Sequence, residues 1–264
     1  MICIAWVEFP QYGARLVGAL VQSTSESVVV VATKPRIPIQ GMERLAGCKI
    51  YWEDKESKRS LKEIIGRTPD VLVVSGWSLP IYKKYANEVH GLGGINIAMV
   101  DNDYHPSFQE FLKKVRFNIF LRRRFDAFLV PGAAGRQLLE YYGVNSVDIY
   151  TGLYAADSSL FLKGIKLSRR PKKIIYVGQF CERKNVLRLC QAFQRANLCH
   201  GNEWQLELCG KGPLRDELPN DRNIIINEFL QPEELPLKYQ TSRGFILPSV
   251  SEHWGVVVHE GALS

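Results

Sequence analysis

The chain has few of the features that mark metal-binding, secreted or membrane-spanning proteins. Its 264 residues include six cysteines, and no two of them stand at the short spacing of paired zinc ligands. Scattered cysteines of this kind indicate reduced thiols and argue against a zinc site. No apolar run approaches the roughly 20 residues of a membrane-spanning helix, and no positively charged leader precedes the first strand. We therefore expect a cytoplasmic protein.

Positive charge is in excess and partly clustered. The formal net charge is +7, and residues 113–125 interleave lysines and arginines with large apolar side chains. A basic amphipathic segment can lie on an anionic membrane, so one prediction is peripheral contact at the inner membrane face. The alternative is an ordinary helix that packs its Phe and Ile on a sheet while its arginines face water. No recognised nucleic-acid-binding module accompanies the charge, so we do not expect nucleic acid as a partner.

The length and composition fit two globular domains. With 46% hydrophobic residues, the chain can bury two ordinary cores. We predict an N-terminal domain over 1–160 and a C-terminal domain over 171–264. The linker is expected within 152–170, where Lys, Ser and Pro gather.

Strand and helix signals alternate along the chain, which is typical of parallel sheets covered by helices on both faces. Short β-branched or apolar runs predict strands, and apolar residues at helical spacing predict helices. The predicted strands are 2–7, 28–31, 71–74, 95–100, 127–130, 174–177, 206–209, 224–226 and 244–247. The predicted helices are 60–65, 81–89, 134–142, 186–196, one that begins near Gln231, and one that bears Glu260.

Two carboxylates near the C-terminus, Glu252 and Glu260, flank the sequence Trp254-Gly255-Val256. If the segment is helical, eight residues bring them back to nearly the same face. Gly255 would let backbone N–H groups at the helix start approach an anion closely. Carboxylates beside bare amides suit a ligand with hydroxyls and a phosphate, such as a nucleotide sugar. Paired acids near a helix start are also common caps.

The second half resembles the donor-binding domain of the retaining GT-B glycosyltransferases (glycosyltransferase family 4, or glycosyl transferases group 1). The resemblance rests on four pieces in the right order: Val177-Gly178 with Arg183-Lys184-Asn185, Gly210-Lys211-Gly212-Pro213, Leu247-Pro248-Ser249, and the pair of acids around Trp254-Gly255. It implies a GT-B-like fold of two doubly wound Rossmann-like domains that face a cleft, with the second domain incomplete.

The resemblance also implies roles for individual residues. Lys184 matches a lysine that pairs with the donor diphosphate, and Glu252 matches an acid that contacts the transferred sugar. Glu260 matches a glutamate that accepts hydrogen bonds from ribose hydroxyls. The other expected donor-binding residues are Gly178, Arg183, Gly210, Gly212, Trp254, Gly255 and Val256.

One position departs from the family pattern. Five residues before its lysine the family usually carries an arginine, whereas this chain has Gln179. A glutamine donates a neutral hydrogen bond, whereas an arginine supplies a charged, bidentate fork. Losing one such contact to a developing oxyanion would cost about 2–4 kcal/mol of transition-state stabilisation. Arg183 is a candidate to compensate.

The first half offers fewer site signals. Gly13 resembles the family's glycine loop after the first strand, although a plain helix-start glycine fits as well. The loop 101–106 follows a strand, and we predict that Asp103 or His105 contacts the sugar. The loop 75–77 also ends a strand, and the ring of Trp77 could stack on an acceptor.

The chain stops soon after Glu260, whereas a complete GT-B donor domain would continue with more strands and helices. We therefore expect either a fragment of a longer chain or a short protein that needs a partner chain.

The resulting functional prediction is a hexosyltransferase that moves a sugar, with retention, from a nucleotide-diphosphate donor to a hydroxyl acceptor. The acceptor class includes lipid-linked glycans, and neither a cofactor nor an obligatory metal ion is expected. The alternatives are a non-catalytic nucleotide-sugar-binding or assembly subunit, and a GT-B epimerase or phosphorylase.

Overall fold

The computed structural model describes residues 1–35, 40–77, 79–161, 164–201 and 203–264. The chain divides into two compact units, Met1–Ala155 and Ala156–Ser264. The boundary therefore falls between Ala155 and Ala156, whereas the sequence predicted domains over 1–160 and 171–264.

The first unit is built on a seven-stranded parallel sheet. Its strands are β1 (Ile2–Trp6), β2 (Val28–Ala32), β3 (Ile50–Trp52), β4 (Val71–Val74), β5 (Ile95–Met99), β6 (Ala127–Val130) and β7 (Ile149–Thr151). The order across the sheet is β3-β2-β1-β4-β5-β6-β7, so β1 pairs with β2 on one side and β4 on the other. This point, where the strand order reverses, is where doubly wound sheets bind ligands.

Helices cover both faces of this sheet, as expected for parallel strands. They are α1 (Gln11–Ser23), α2 (Met42–Ala46), α3 (Leu61–Ile65), α4 (Pro80–His90), α5 (Phe108–Phe120) and α6 (Ala133–Tyr142). Some have clear local start signals. Ser60 and Glu63 form a reciprocal capping box at α3, and the side chain of Ser107 accepts a hydrogen bond from the Glu110 amide at α5.

The second unit has a four-stranded parallel sheet in the order β10-β9-β8-β11. Its strands are β8 (Lys173–Val177), β9 (Gln205–Cys209), β10 (Ile224–Asn227) and β11 (Gly244–Phe245). Its helices are α7 (Ser158–Phe161), α8 (Val186–Cys199), α9 (Leu235–Gln240) and α10 (Val256–Leu263). One core lies between the sheet and α8, where Phe180, Leu189 and Leu206 are buried. The other lies between the sheet and α9, where Ile175, Val177 and Tyr239 are buried.

Three local predictions need correction. The strands β3 and β7 were not predicted, because three-residue segments carry too little periodicity. The helix expected near Gln231 begins at Leu235, and Pro236 rather than Pro232 stands in its first turn. The segment 152–170 is also more than a linker, because Phe161 is buried against Tyr239 and the Arg170 guanidinium donates to the carbonyls of Tyr239 and Ser242.

Candidate functional site

The loops that follow β8 and β11 in the second unit lie against each other. The Val250 amide donates to the Arg183 carbonyl oxygen at 2.9 Å, and Asn185 Nδ2 donates to the Pro248 carbonyl oxygen at 3.2 Å. Asn185 has a left-handed backbone (φ 58°), which asparagine tolerates better than most residues. These contacts bring together two motifs that are more than 60 residues apart in sequence.

A cluster of charged groups occupies this junction. The Lys184 ammonium forms an ion pair with Glu252 Oε2, and Ser249 Oγ donates to the same oxygen at 3.0 Å. Arg183 approaches the other carboxylate oxygen at 3.6 Å and donates to the Ser251 carbonyl at 2.9 Å. We call Arg183, Lys184, Ser249 and Glu252 the lysine–glutamate cluster. Its two cations and one carboxylate leave a net charge of +1.

The environment keeps Glu252 ionised. Partial burial would raise the pKa of this carboxyl, but hydrogen bonds from Lys184 and Ser249, and the charges of Lys184 and Arg183, outweigh burial. The pKa of Glu252 therefore lies below its usual value. Lys184 is itself buried, with 9% of its surface exposed, which is rare for a lysine without a charged partner.

The glycines of two loops are explained by close packing of backbone on backbone. A Cβ on Gly210 would lie 1.9 Å from the Gly178 carbonyl oxygen, and one on Gly212 would lie 2.4 Å from the Phe180 carbonyl oxygen. The Phe180 amide also donates to the Lys211 carbonyl oxygen at 2.9 Å. The predicted glycine motifs after β8 and β9 therefore interlock, and Gly212 is more than a turn residue.

Glu260 lies in α10 and points toward α9. The Tyr239 hydroxyl donates to Glu260 Oε2 at 3.0 Å. Burial, followed by the charge and hydrogen bond of Glu260, raises the pKa of Tyr239. Gly255 is the N-cap of α10 and Val256 is its first residue, so the predicted helix start is observed. Glu252, by contrast, contacts Lys184, Ser249 and Arg183.

Two further predicted residues flank these groups. The Trp254 ring meets the His259 ring edge-on, with centroids 5.3 Å apart. The Gln179 side chain is exposed, and its backbone carbonyl accepts a 2.7 Å hydrogen bond from the Tyr176 hydroxyl.

The first unit contains a cavity of about 380 Å³ at the carboxyl ends of β1, β4 and β5. It is rich in aromatic and polar groups, with Trp6, Tyr12, Trp77, Tyr154, Glu8, Ser75, Gly76, Asp101 and Asn102 in its lining. The predicted loop 75–77 therefore faces this cavity.

The other predicted residues of the first unit lie elsewhere. Asp103 and His105 are absent from the lining that the described residues provide, and Asp101 and Asn102 from the same loop occupy it instead. Gly13 lies inside α1 rather than in the preceding loop, and a Cβ there would come within 3.2 Å of Trp6 and 3.1 Å of Phe9. Close packing against these rings accounts for this glycine.

Sequence reasoning missed Asp101 and its tyrosine neighbours. The rings of Tyr12 and Tyr154 meet edge-on, with centroids 5.3 Å apart. Burial and the Asp101 charge raise the pKa of Tyr12 to about 12, and both also raise the pKa of Tyr154. The available signal was that Asp101 is the second residue after β5, and hence at the carboxyl edge of the sheet.

A second charged cluster was also missed. Glu207 in β9 is 2% exposed, and its carboxylate lies 2.5 Å from Lys173 Nζ and 2.7 Å from Lys238 Nζ. Asn227 Nδ2 donates to it at 2.9 Å. A charged residue in a predicted buried strand was the available signal, because buried charges require partners.

Among the described residues, no group of three or more His, Cys, Asp or Glu side chains is arranged to hold a metal ion. Within the same residues, no helix has both the length and the apolar character needed to cross a membrane.

The segment that carries the lysine–glutamate cluster is similar to a known protein family. Residues 161–262 match the family Glycosyl transferases group 1. The matched segment covers most of the second unit, Ala156–Ser264. A comparison with curated protein sequences found no match.

Solved structures match nearly the whole chain. HepE from Anabaena, solved with UDP and glucose, has a TM-score of 0.68 at 11% identity, with 98% of this chain and 78% of HepE covered. A glycosyltransferase from Rickettsia africae has a TM-score of 0.70 at 14% identity, with 99% and 77% covered. The lipopolysaccharide outer core galactosyltransferase WaaB has a TM-score of 0.59 at 14% identity, with 98% and 77% covered. These likenesses confirm the predicted α/β, GT-B-like fold with Rossmann-like units.

Proposed function

We propose that this protein is a retaining glycosyltransferase that moves a hexose from a nucleoside-diphosphate donor to a hydroxyl acceptor. The observation that carries the proposal is the lysine–glutamate cluster, which joins Lys184 and Glu252 in a segment that matches glycosyl transferases group 1. A buried lysine beside an ionised glutamate, at the carboxyl edge of a parallel sheet, suits a ligand with both phosphate and hydroxyl groups.

Lys184 and Arg183 supply the positive charge for the donor diphosphate. Both contact the same carboxylate, so both can reach one phosphate-sized ligand. Cations aimed at a departing phosphate stabilise the negative charge that develops there. Arg183 thereby compensates for Gln179, where the family pattern has an arginine.

Glu252 accepts hydrogen bonds from hydroxyls of the transferred sugar, and its lowered pKa keeps it in the accepting form. When the diphosphate binds, Lys184 exchanges part of its contact with Glu252 for phosphate oxygens. The carboxylate then has lone pairs available for the sugar. This exchange keeps charged groups paired in both states, which limits the cost of their burial.

Glu260 accepts hydrogen bonds from the ribose hydroxyls, and Tyr239 orients its carboxylate. The Gly255 amide, at the start of α10, is assigned to the donor phosphates or sugar. The Val256 amide donates to the Trp254 carbonyl oxygen at 3.2 Å and would exchange that hydrogen bond for one to the donor. Trp254, Gly178, Gly210 and Gly212 shape the surrounding loops.

The first unit binds the acceptor in its aromatic cavity. The partly exposed Trp77 ring offers an apolar surface for a sugar, and Asp101 offers a carboxylate for its hydroxyls. Asp103 and His105 remain predicted sugar contacts from the same loop. We propose a glycan as the acceptor class, including lipid-linked glycans.

In the proposed reaction, the bond between the anomeric carbon and the phosphate oxygen breaks and the acceptor oxygen bonds to that carbon from the same face. The acceptor proton passes to the departing phosphate. The products are the glycoside and the nucleoside diphosphate. UDP is our first candidate nucleotide, because the similar HepE was solved with UDP and glucose.

Sugar transfer from UDP-, GDP- and ADP-hexoses to added glycans, followed by mass spectrometry, tests the proposal. We expect transfer by the wild type and a loss of about 100-fold or more in kcat for Lys184→Met, because one contact to the developing charge disappears. Lys172→Met is the matched control, since Lys172 pairs with the exposed Glu203 away from the cluster. Equal rates for Lys184→Met and the wild type would contradict the assignment.

A non-catalytic nucleotide-sugar-binding subunit is the second candidate, favoured by the uncharged and exposed Gln179. Thermal shift with UDP separates the two functions, because a ligand at a hundredfold its Kd adds about 2.7 kcal/mol of stability. Stabilisation by UDP without transfer from any of the three donors would favour the binding subunit. If UDP gave no stabilisation and none of the three donors gave transfer, both candidates would be contradicted.

A further inference from the structure

The helix α5 carries an exposed apolar stripe. Six large apolar side chains on it are exposed, and Phe120 lies apart from the rest, about 120° around the helix from Phe108. The other five are exposed by 39–75%: Phe108, Phe111, Leu112, Val115 and Ile119. Their spacing of i, i+3, i+4, i+7 and i+11 places them within about 100° of one face of the helix. We call these five residues the α5 stripe.

The opposite face of α5 fixes the helix to the first unit. Phe117 is 1% exposed and packs against Phe128 and Tyr142. The buried Glu110 accepts a hydrogen bond from the Tyr142 hydroxyl, and Asn118 Nδ2 donates to the Tyr142 carbonyl at 2.8 Å. The α5 stripe therefore points outward on a helix whose other face is already packed.

Cations border the α5 stripe. Arg116 lies beside the stripe on one side and Lys114 on the other, at about 100° per residue along the helix. Lys113 lies nearer the packed face, where its ammonium pairs with Glu110 at 3.0 Å. Arg116 is exposed, as is Arg123 in the turn that follows the helix. Apolar groups bordered by exposed cations match the boundary between acyl chains and anionic headgroups.

We propose that α5 docks in the plane of an anionic lipid surface, with the α5 stripe entering the acyl boundary and the bordering cations facing lipid phosphates. Charge decides between this partner and a second copy of the chain. Two copies meeting through this face would bring the same cations together, whereas an anionic membrane neutralises them. At 13 residues, α5 spans about 20 Å, which is enough to present the whole stripe to a flat surface.

The proposal corrects the sequence prediction in one respect. The segment 113–125 was expected to provide the membrane contact, but Leu121 and Phe125 in it are buried in the core. The apolar contact surface begins earlier, at Phe108. The proposal does not depend on the transferase assignment, because lipid binding by α5 needs no donor or acceptor.

Flotation with vesicles tests the proposal. We expect the wild type to bind vesicles containing about a third phosphatidylglycerol, and to bind pure phosphatidylcholine vesicles far more weakly. The double variant Phe108→Ser/Ile119→Ser should lower the partition constant about tenfold or more, because the two most exposed apolar groups of the stripe are lost. Arg116→Glu/Arg123→Glu should remove the preference for anionic vesicles.

Matched controls lie elsewhere on the surface. Leu92→Ser removes a side chain that is 75% exposed, like Phe108, and Arg195→Glu reverses an exposed cation on the second unit. Both should bind like the wild type, and far-UV circular dichroism should show all variants folded. Wild-type binding by Phe108→Ser/Ile119→Ser, or equal binding to both kinds of vesicle, would overturn the proposal. Light scattering could also show a wild-type dimer that Phe108→Ser/Ile119→Ser dissociates. If vesicle binding were then absent, the stripe would be assigned to a second copy of the chain and the proposal would be overturned as well.

Discussion

The buried ion pairs of Glu207 allow a quantitative prediction about the stability of the second unit. Burial alone would raise the pKa of Glu207, but hydrogen bonds and charges from Lys173 and Lys238 outweigh burial, so its pKa lies below the usual value. The carboxylate therefore stays ionised between the sheet and α9. Glu207→Gln keeps the shape of the side chain and removes its charge.

The magnitude follows from the exposure of the two lysines. Removing one partner of a fully buried ion pair costs about 3–5 kcal/mol. The Lys173 side chain is 13% exposed and cannot easily reach water, whereas the Lys238 side chain is 30% exposed and can extend toward it. We therefore expect a loss near the lower end, about 3 kcal/mol, which lowers the Tm of the second unit by roughly 13 °C.

Urea unfolding and hydrogen exchange of the amides of residues 205–209 measure this loss. Glu203→Gln, four residues earlier, is the matched control, because Glu203 pairs with Lys172 on the surface and its removal should leave stability unchanged. Replacing Glu207, Lys173 and Lys238 together by Met should restore much of the stability, since no charge is then left unpaired. If Glu207→Gln cost less than about 1 kcal/mol, the buried-charge reasoning would be refuted.

The effect should depend on pH in a defined direction. The folded-state pKa of Glu207 is lowered, so its ionised form adds stability above the unfolded-state pKa of about 4.3. This contribution disappears as the pH falls through the folded-state pKa, because protonated Glu207 and Gln then have the same charge. The wild type and Glu207→Gln should differ most near pH 7 and converge in acid. A constant difference across this range would assign the loss to packing rather than charge.

Two further predictions concern the loops and α10. Gly212→Ala should destabilise the second unit by about 1–3 kcal/mol, because its Cβ would overlap the Phe180 backbone, whereas Gly244→Ala should change stability by less than about 0.5 kcal/mol in the same urea titration. Equal effects would argue against the interlocked loops. Glu260→Ala should weaken UDP binding in calorimetry by about tenfold or more, whereas Tyr239→Phe, which keeps the carboxylate, should weaken it less. Unchanged affinity in Glu260→Ala would contradict the proposed ribose contact.

Much of the fold could be predicted from local sequence. Runs such as Val28–Ala32 and Val71–Val74 are too β-branched and too apolar for exposed helices, so their strands were predicted nearly to the residue. The glycine motifs after β8 and β9 were also predictable, since only glycine allows the close backbone contacts made there. Three-residue strands such as β3 escaped prediction, because they form only when the neighbouring strand provides hydrogen bonds.

The site was predicted in part. Lys184, Arg183 and Glu252 do come together in the structure, and the direction of Arg183, which sequence left open, is toward the same carboxylate. In the first unit, Asp101 rather than Asp103 faces the cavity. A shift of two residues along an irregular loop changes which side chain faces inward, and local sequence does not specify that orientation.

The sequence by itself determined the alternation of strands and helices, the positions of the glycine loops and the excess of positive charge. These depend on steric and apolar preferences that act over a few residues. Only the tertiary structure decided which distant charges pair, as Lys184 does with Glu252 across 68 residues and Glu207 with Lys173 and Lys238. It also decided which apolar face of α5 is buried, because both faces carry large apolar side chains and only the packed sheet distinguishes them. Long-range pairing depends on strand order, and strand order is a property of the whole sheet.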